Sequence, residues 1–182
     1  MEKISVFEEE LNYISDLRIK NSLINYIETL PDYFFLIAAS SSGKYHPSYA
    51  LGEGGLVRHT KVALKIANAL FRNDSIQSFS SLEKDLIFYA LLIHDSYKLG
   101  LNQVEHTRFD HPLVAADQFV VNSVGLMENE KKLIKGMVES HMGQWNENVY
   151  EKIQLPKPAN ELERFVHLCD YLASQKFLEI KF

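Results

Sequence analysis

The fold is decided by residues 80–98, which read SSLEKDLIFYALLIHDSYK. Ser80 and Glu83 have the spacing of a capping box, in which each side chain satisfies a free backbone N–H group at the start of a helix. The apolar run at 86–93 follows, and it is far too short to span a bilayer. The predicted helix ends near His94, with Asp95 directly behind it. The sequence thus places two side chains able to bind a metal ion at the end of a wholly apolar helix.

Helical periodicity extends outward from this segment in both directions. Helices are predicted at about residues 3–30 (one or two), 56–71, 110–121, 128–142 and 160–177. Residues 32–39 are ambiguous between strand and helix, and the Ser- and Gly-rich residues 40–55 are expected to form a loop. The sequence contains no internal repeat, linker or low-complexity tract. We therefore expect a single all-α domain over residues 1–182, with an N-terminal helical segment in residues 1–40.

Composition excludes several classes of protein. The chain has 182 residues, 46% of them apolar and 24% charged, which is typical of a soluble globular domain. Its net charge of −5 provides no basis for bulk nucleic-acid or anionic-membrane binding. Cys169 is the only cysteine, so a disulfide within the chain and an all-thiolate zinc site are excluded. The first residues lack the apolar block of a signal peptide, and we expect a cytosolic location.

The apolar faces of the predicted helices also contain polar side chains, which should therefore point toward the interior. His59 shares the apolar face of its helix, His141 continues the apolar face of another, and Asp170 lies within a third. Together with His94 and Asp95, four helices each direct at least one potential metal ligand toward the core. His111 stands at a helix N-terminus, where the helix dipole favours the neutral imidazole that a ligand requires.

A structural explanation competes with metal binding. A single buried histidine is more often satisfied by one hydrogen bond than by a metal ion. A buried carboxylate is harder to explain, because its desolvation costs several kcal/mol, and Asp95 also lies at the unfavourable carbonyl end of a helix. A simple Asp95–Lys98 ion pair is the alternative to a cation. Considered together, the four helices that each supply a potential ligand favour a metal ion over this ion pair. A ligand set of His and Asp suits Mn²⁺, Fe²⁺, Co²⁺, Ni²⁺ or Zn²⁺ better than Mg²⁺.

At this point the ordered motifs resemble those of the HD-domain metal-dependent phosphohydrolases. His59, then His94-Asp95, then Asp170 follow the order of that family's signature, and residues 94–98 resemble its HD-x-x-K element. Residues 54–60, GGLVRHT, are similar to the start of the HD module in bacterial 3′-to-5′ exoribonucleases, in which a proline and a glutamate also precede the last aspartate, as Pro158 and Glu161 do here. The resemblance covers about residues 44–178.

The resemblance implies a helical HD-type bundle with one or two metal ions at its centre. His59, His94, Asp95 and Asp170 would hold the first metal, and Asp95 would bridge to a second one completed by His111 and His141. Asp95 and Lys98 would be the catalytic residues, with Lys98 contacting the phosphate or assisting proton transfer. The implied substrate is a small phosphorylated molecule, a nucleotide or a short nucleic-acid fragment.

Three departures from the family pattern bear on this interpretation. Tyr97 stands where the family often has glycine, and Met142 stands where cyclic-dinucleotide phosphodiesterases have a second histidine. The exoribonucleases also carry an N-terminal nucleic-acid-binding barrel, whereas the first forty residues here are helical and acidic, so processive RNA binding is not expected.

Several further residues are candidates for substrate contact. Arg108 would either grip a phosphate or remain solvated. Gln144 and Trp145 would bind a nucleobase, unless the aromatic ring merely plugs the core. Tyr45, His46 and Tyr49 could form a gate over the metal site. His106 is expected at the rim of the pocket, and His167 is expected either to support a metal ligand or to lie at the surface.

Three functions remain as hypotheses. The first is a metal-dependent phosphohydrolase. The second is a di-iron oxygenase on the same helical scaffold, which requires all six ligands and is distinguished by a stable absorption band of oxidised iron. The third is a non-catalytic metal-binding interaction module, which would bind metal stoichiometrically without turnover.

Overall fold

The computed structural model describes residues 2–40 and 46–177, and the regular structure in them is mostly helical, with turns and loops between the helices. The α-helices are α1 (Glu8–Leu11), α2 (Leu17–Thr29), α3 (Gly55–Leu70), α4 (Ser81–Ile93), α5 (His111–Asn122), α6 (Glu128–Glu139) and α7 (Glu161–Ala173). Short 3-10 helices occupy Ile4–Phe7, Asp32–Phe35 and Ser48–Ala50. The predicted all-α character is confirmed, apart from one short hairpin between β1 (Glu147–Asn148) and β2 (Ile153–Gln154).

Helix α4 is the centre of the core. It packs against α2, α3, α6 and α7, and every residue from 85 to 93 is buried. A helix covered on all sides needs no polar face, which explains the unbroken apolar run. The predicted capping box is confirmed: the Glu83 N–H donates to Ser80 Oγ (3.3 Å), and the Ser80 N–H donates to Glu83 Oε2 (2.8 Å).

The N-terminal segment is fastened to the bundle by two acidic residues. The buried carboxylate of Asp85 accepts hydrogen bonds from the backbone and hydroxyl of Ser15 and from the backbone of Asp16, at 2.8–3.0 Å. Arg18 on α2 forms two hydrogen bonds with Glu130 on α6, at 2.7 and 2.6 Å. The first helices are therefore part of the same core as the rest of the described chain.

Two glycines place the start of α3. Gly54 has φ of +68°, a left-handed conformation that strains residues with a side chain. A Cβ added at Gly55 would overlap the backbone carbonyl of Ala50, so the chain approaches itself more closely there than any larger residue allows. The glycine pair thereby lets the Ser48–Ala50 turn pack against the first turn of the helix that carries His59.

Several local expectations need correction. Helix α6 ends at Glu139 rather than Met142, and α7 at Ala173 rather than Phe177, while residues 32–35 form a 3-10 helix and not a strand. The hairpin at 147–154 is missing from the sequence prediction, because strands of two residues carry no periodicity.

Asp110 does not act as the predicted N-cap of α5. Its side chain makes no cap hydrogen bond and its φ and ψ of −83° and 9° lie outside the extended region that an N-cap residue adopts. The carboxylate instead accepts two hydrogen bonds from Arg108, at 2.7 and 2.6 Å. A charge-assisted pair of this kind is stronger than a single cap bond to a backbone N–H. Within the described chain, no helix combines the length and the apolar character needed to cross a membrane.

Candidate metal centre

Six histidine and aspartate side chains meet at one place in the bundle. His59 lies on α3, His94 and Asp95 follow the last turn of α4, His111 begins α5, and Asp170 lies on α7. The sixth, His141, lies in the turn that follows α6. Five of the six residues are at most 2% exposed, and the Asp170 side chain is 19% exposed. The structure therefore brings together every residue that the sequence nominated as a metal ligand.

The carboxylate of Asp95 lies between the histidines. Its Oδ1 is 2.9 Å from His111 Nε2 and 3.6 Å from His141 Nε2. Its Oδ2 is 3.6 Å from His94 Nε2 and 4.0 Å from His59 Nε2. One oxygen thus faces α5 and α6 while the other faces α3 and α4, which is the disposition of a carboxylate able to bridge two ions.

Asp170 closes the cluster from the side of α7. Its Oδ1 lies 2.8 Å from His59 Nε2 and 3.4 Å from His94 Nε2. Burial alone would disfavour the charged form of both aspartates, but Lys98 and His94 at Asp95, and His59 and His94 at Asp170, outweigh it and hold each pKa well below its usual range. Both carboxylates are therefore ionised at neutral pH.

Three of the histidines are oriented in the same way. His94 Nδ1 donates to the carbonyl of Leu91 (2.7 Å), and His141 Nδ1 donates to the carbonyl of Val138 (2.7 Å). His111 Nδ1 donates to the carbonyl of Arg108 (2.6 Å). A carbonyl only accepts, so Nδ1 carries the proton and, in the neutral ring, Nε2 presents a lone pair to the cluster. Metal-binding histidines are oriented in this way by a hydrogen bond from the second ring nitrogen.

These lone pairs oppose one another unless a cation lies between them. His111 Nε2 and His141 Nε2 are 3.3 Å apart. His94 Nε2 is buried without a hydrogen bond among the described residues, although two carboxylate oxygens lie within 3.6 Å. A positive ion between such acceptors converts each repulsion into an attraction.

The protonation states of two of these rings differ. Burial lowers the pKa of His111, against the attraction of Asp95, so this ring is neutral at neutral pH. Burial also opposes the charge of His94, but Asp95 and Asp170 outweigh it and raise its pKa. A proton therefore binds more readily at His94 than at His111.

The ligand atoms form three overlapping groups in which all atoms lie within 4.8 Å of one another. These groups are His59/His94/Asp95, His94/His141/Asp170 and Asp95/His111/His141. The first group contains three of the four ligands of one site that the resemblance implies, the third matches the other implied site, and the second crosses between them. The buried groups could hold a metal ion, and nitrogen with carboxylate oxygen suits the transition metals better than Mg²⁺.

His59 differs from the other histidine ligand candidates in its hydrogen bonds. Its Nε2 is close enough to Asp170 to donate a hydrogen bond, and its buried Nδ1 has no hydrogen-bond partner among the described residues. The ring lies 5.4 Å, centre to centre, from that of His46. Unlike the other three rings, His59 is not oriented by a backbone carbonyl.

Lys98 forms the ion pair that the alternative explanation requires. Its Nζ lies 2.5 Å from Asp95 Oδ2. The pair accounts for one oxygen of this carboxylate, whereas Oδ1 faces the acceptor nitrogens of His111 and His141. The ion pair is therefore present, but it does not explain why these imidazoles converge.

A cavity of about 420 Å³ opens onto the cluster. Five of the six ligand candidates line it, together with Lys98, His46 and Trp145. Lys98 is the only Lys or Arg among the described lining residues. Burial holds the pKa of His46 near 4, so this ring is neutral when the protein is at neutral pH.

Two of the three predicted substrate contacts lie elsewhere. Arg108 is not among the described lining residues, and its guanidinium is paired with Asp110. Gln144 is exposed and is also not among the lining residues, in contrast to the neighbouring Trp145. Tyr45 lies outside the described residues. His106 lies at the cavity with its side chain 75% exposed.

Helix α7 contributes more to the cavity than the sequence analysis recognised. His167, Tyr171 and Ser174 line it beside Asp170. Their spacing of i, i+4 and i+7 puts them on one face of the helix, and this periodicity was the signal available in the sequence. His167 Nδ1 donates to the carbonyl of His141 (2.7 Å), so this histidine supports the turn that carries a ligand candidate.

No protein-family model, curated protein or solved structure matches the chain significantly. The function must therefore be inferred from the site.

Proposed function

We propose that this chain is a cytosolic, metal-dependent phosphohydrolase of the HD-domain type. The observation that carries the proposal is the set of three Nε2 atoms, those of His94, His111 and His141, that face the carboxylate of Asp95 because each Nδ1 is bonded to a backbone carbonyl. Such a set of nitrogen and carboxylate ligands at the base of an open cavity is suited to metal-assisted hydrolysis.

The ligand assignment follows the order of the motifs. His59, His94, Asp95 and Asp170 would hold one ion, and Asp95, His111 and His141 would hold a second. The three overlapping groups of ligand atoms support this division, because Asp95 belongs to one group on each side. The crossing group of His94, His141 and Asp170 is also compatible with a single ion at the centre.

The cavity residues have separate tasks in such a reaction. A bound divalent ion supplies hydroxide at neutral pH, by lowering the pKa of a coordinated water to ~7, and it neutralises phosphoryl charge. Asp95 holds the cluster together through its two oxygens, and the carbonyl-bonded histidines fix its geometry. Lys98 lines the cavity beside Asp95 and would donate a hydrogen bond to a phosphoryl oxygen. The substrate would be a small phosphate ester, a nucleotide or short nucleic-acid fragment.

A di-iron oxygenase is the second candidate, because all six nitrogen and oxygen ligands that it needs are assembled in one cluster. Elemental analysis of gently purified protein separates the two, when it is combined with an absorption spectrum and with Mn²⁺-supplemented assays on an aryl phosphodiester and on nucleoside monophosphates. Iron with an oxidised-iron band and no hydrolysis would favour the oxygenase. Stoichiometric metal without either activity would indicate the interaction module.

The decisive variant is Asp95→Asn, which keeps the size of the side chain and removes its charge. We expect loss of bound metal and of hydrolysis, with the helical circular-dichroism signal retained. Asp117→Asn, an exposed aspartate on α5, is the matched control and should retain both. Metal content that is unchanged in Asp95→Asn would exclude Asp95 as a ligand.

A further inference from the structure

Two stacked aromatic rings form one wall of the cavity. Trp145 and Tyr171 lie 5.6 Å apart, centre to centre, with an angle of 23° between their planes. Both line the cavity that Asp95 and Asp170 also line. Trp145 comes from the turn after α6 and Tyr171 from α7, so the stack joins two elements that also supply ligand candidates.

The stack is connected to the metal cluster through His167. The ring of His167 lies 6.1 Å from that of Trp145, and its Nδ1 donates to the carbonyl of His141. Gly143 allows this packing, since a Cβ at that position would overlap the imidazole. His141, His167 and the aromatic pair therefore form one continuous unit from the ligands to the cavity wall.

The indole retains surface for a further contact. Tyr171 stacks against Trp145, yet the tryptophan is still 49% exposed. A single exposed aromatic residue is ordinary on a protein surface. An exposed indole that is held flat by a second ring, inside the cavity that contains the ligand cluster, is the arrangement that binds planar rings by stacking.

We propose that Trp145 and Tyr171, supported by His167, form a stacking platform that selects phosphate esters carrying a planar aromatic ring. The ring would lie on the platform while the phosphate reaches the cluster; this second half rests on the proposed phosphohydrolase function. The chemistry of recognition is shared by a nucleobase and a simple aryl group, and the substrates below distinguish them.

Trp145 is the only tryptophan of the chain, so intrinsic tryptophan fluorescence reports on the platform alone. Protein loaded with redox-inert Zn²⁺ is titrated with AMP and with ribose 5-phosphate, which has the same sugar and phosphate but no base, and is read directly after mixing. We expect saturable quenching by AMP and none by ribose 5-phosphate. Calorimetric titration with 4-nitrophenyl phosphate then shows whether a simple aryl ring is accepted in place of a base.

Calorimetry of Trp145→Leu tests the same point without the fluorophore. Loss of the stack should weaken AMP binding by about 5- to 150-fold while leaving the affinity for inorganic phosphate and the zinc content unchanged. Trp145→Phe should restore part of the affinity. Tyr150→Leu, at a 95% exposed tyrosine outside the lining residues, should leave AMP binding unchanged.

The outcomes separate the platform from the phosphohydrolase. Equal affinity for AMP and ribose 5-phosphate, or unchanged AMP affinity in Trp145→Leu, would overturn the platform even if the protein hydrolyses both esters. Quenching by adenosine in a protein that binds neither inorganic phosphate nor ribose 5-phosphate would support the platform, while the phosphohydrolase proposal would fail.

Discussion

At the scale of single residues, the centre depends on what each ring nitrogen is bonded to. A neutral imidazole has one donor and one acceptor, and a backbone carbonyl takes the donor of His94, His111 and His141. Their second nitrogens are left as acceptors. When they are neutral, these three rings therefore cannot also donate a hydrogen bond to the carboxylates of Asp95 and Asp170. This distinguishes the cluster from an ordinary buried hydrogen-bond network, in which each carboxylate accepts from a neighbouring donor.

The sequence identified these residues but not their orientation. Helical spacing predicted that His59, His141 and Asp170 point to the interior. The resemblance to the HD-domain motifs implied that His111 joins them. Two of the i to i−3 hydrogen bonds, those of His94 and His141, arise at the C-terminal ends of helices, where free carbonyls accept local donors, and that of His111 arises in the loop before α5. Such bonds depend on where a helix stops, and the end of α6 was expected at Met142 rather than at Glu139.

Gly143 provides a test at this scale. Its φ of +59° strains any other residue, and a Cβ there would overlap His167. We expect Gly143→Ala to lower the free energy of unfolding by about 2–4 kcal/mol in urea titrations, because left-handed strain of ~1–2 kcal/mol adds to the overlap.

Gly125→Ala is the matched control for Gly143→Ala. Gly125 has φ of +79° but open space around the added Cβ, so only the backbone strain of about 1–2 kcal/mol should appear. Equal losses in the two variants would show that the contact with His167 contributes nothing to stability.

At the scale of elements, α4 shows which parts of the structure can be predicted from the sequence. Its capping box and apolar run are local signals, and both correctly predicted its start and its burial. The prediction that Asp110 caps α5 was wrong, because its carboxylate binds the guanidinium of Arg108 instead. The hairpin at 147–154 has strands of only two residues, and it depends on bonds across the turn, such as that from the Leu155 N–H to the Asn146 carbonyl (2.7 Å), which leave no pattern in the sequence.

The attachment of the N-terminal segment to α4 is tested by Asp85→Ala. The substitution leaves three hydrogen-bond donors from Ser15 and Asp16 without their acceptor. We expect the free energy of unfolding to fall by about 2–4 kcal/mol, since hydrogen bonds to a charged acceptor contribute ~1.5–3 kcal/mol each and water will replace part of them. Chemical denaturation followed by circular dichroism measures the change.

Asp117→Ala on α5 is the control, because its side chain is exposed and should change stability by less than about 0.5 kcal/mol. If Asp85→Ala is as stable as this control, the segment is held by its apolar contacts alone.

At the scale of the whole molecule, the ligand candidates come from four helices and one turn that are distant from one another along the chain. A bound ion would connect α3, α4, α5, α7 and the turn after α6, so metal binding should stabilise the entire fold. With free metal at about 1,000 times its dissociation constant, we expect a gain of ~4 kcal/mol, or roughly 10 °C in the melting temperature, which a chelator should reverse. Differential scanning calorimetry with and without metal measures it.

This gain should depend on pH in a defined direction. The pKa of His94 is raised by Asp95 and Asp170 despite its burial, so in the metal-free protein its proton stabilises the fold below the ordinary value of 6.5. That contribution is lost as pH rises through the raised pKa. Because a metal ion competes with this proton, the metal-induced rise in melting temperature should grow as pH increases through and beyond 6.5. A rise that is constant between pH 5.5 and 8 would contradict ligation by His94.

The carbonyl bonds of the three histidines also bear on how quickly ions exchange. Each ring is oriented within its own turn, so small displacements between neighbouring helices leave its direction unchanged. An ion held there as proposed would exchange without rotation of these rings, because the bonds that fix their direction are made by Nδ1 and not by the ligand nitrogen Nε2. Occupancy would then be set by the affinity of the site for each transition metal together with the supply of that metal, rather than by the order in which the ions first arrived.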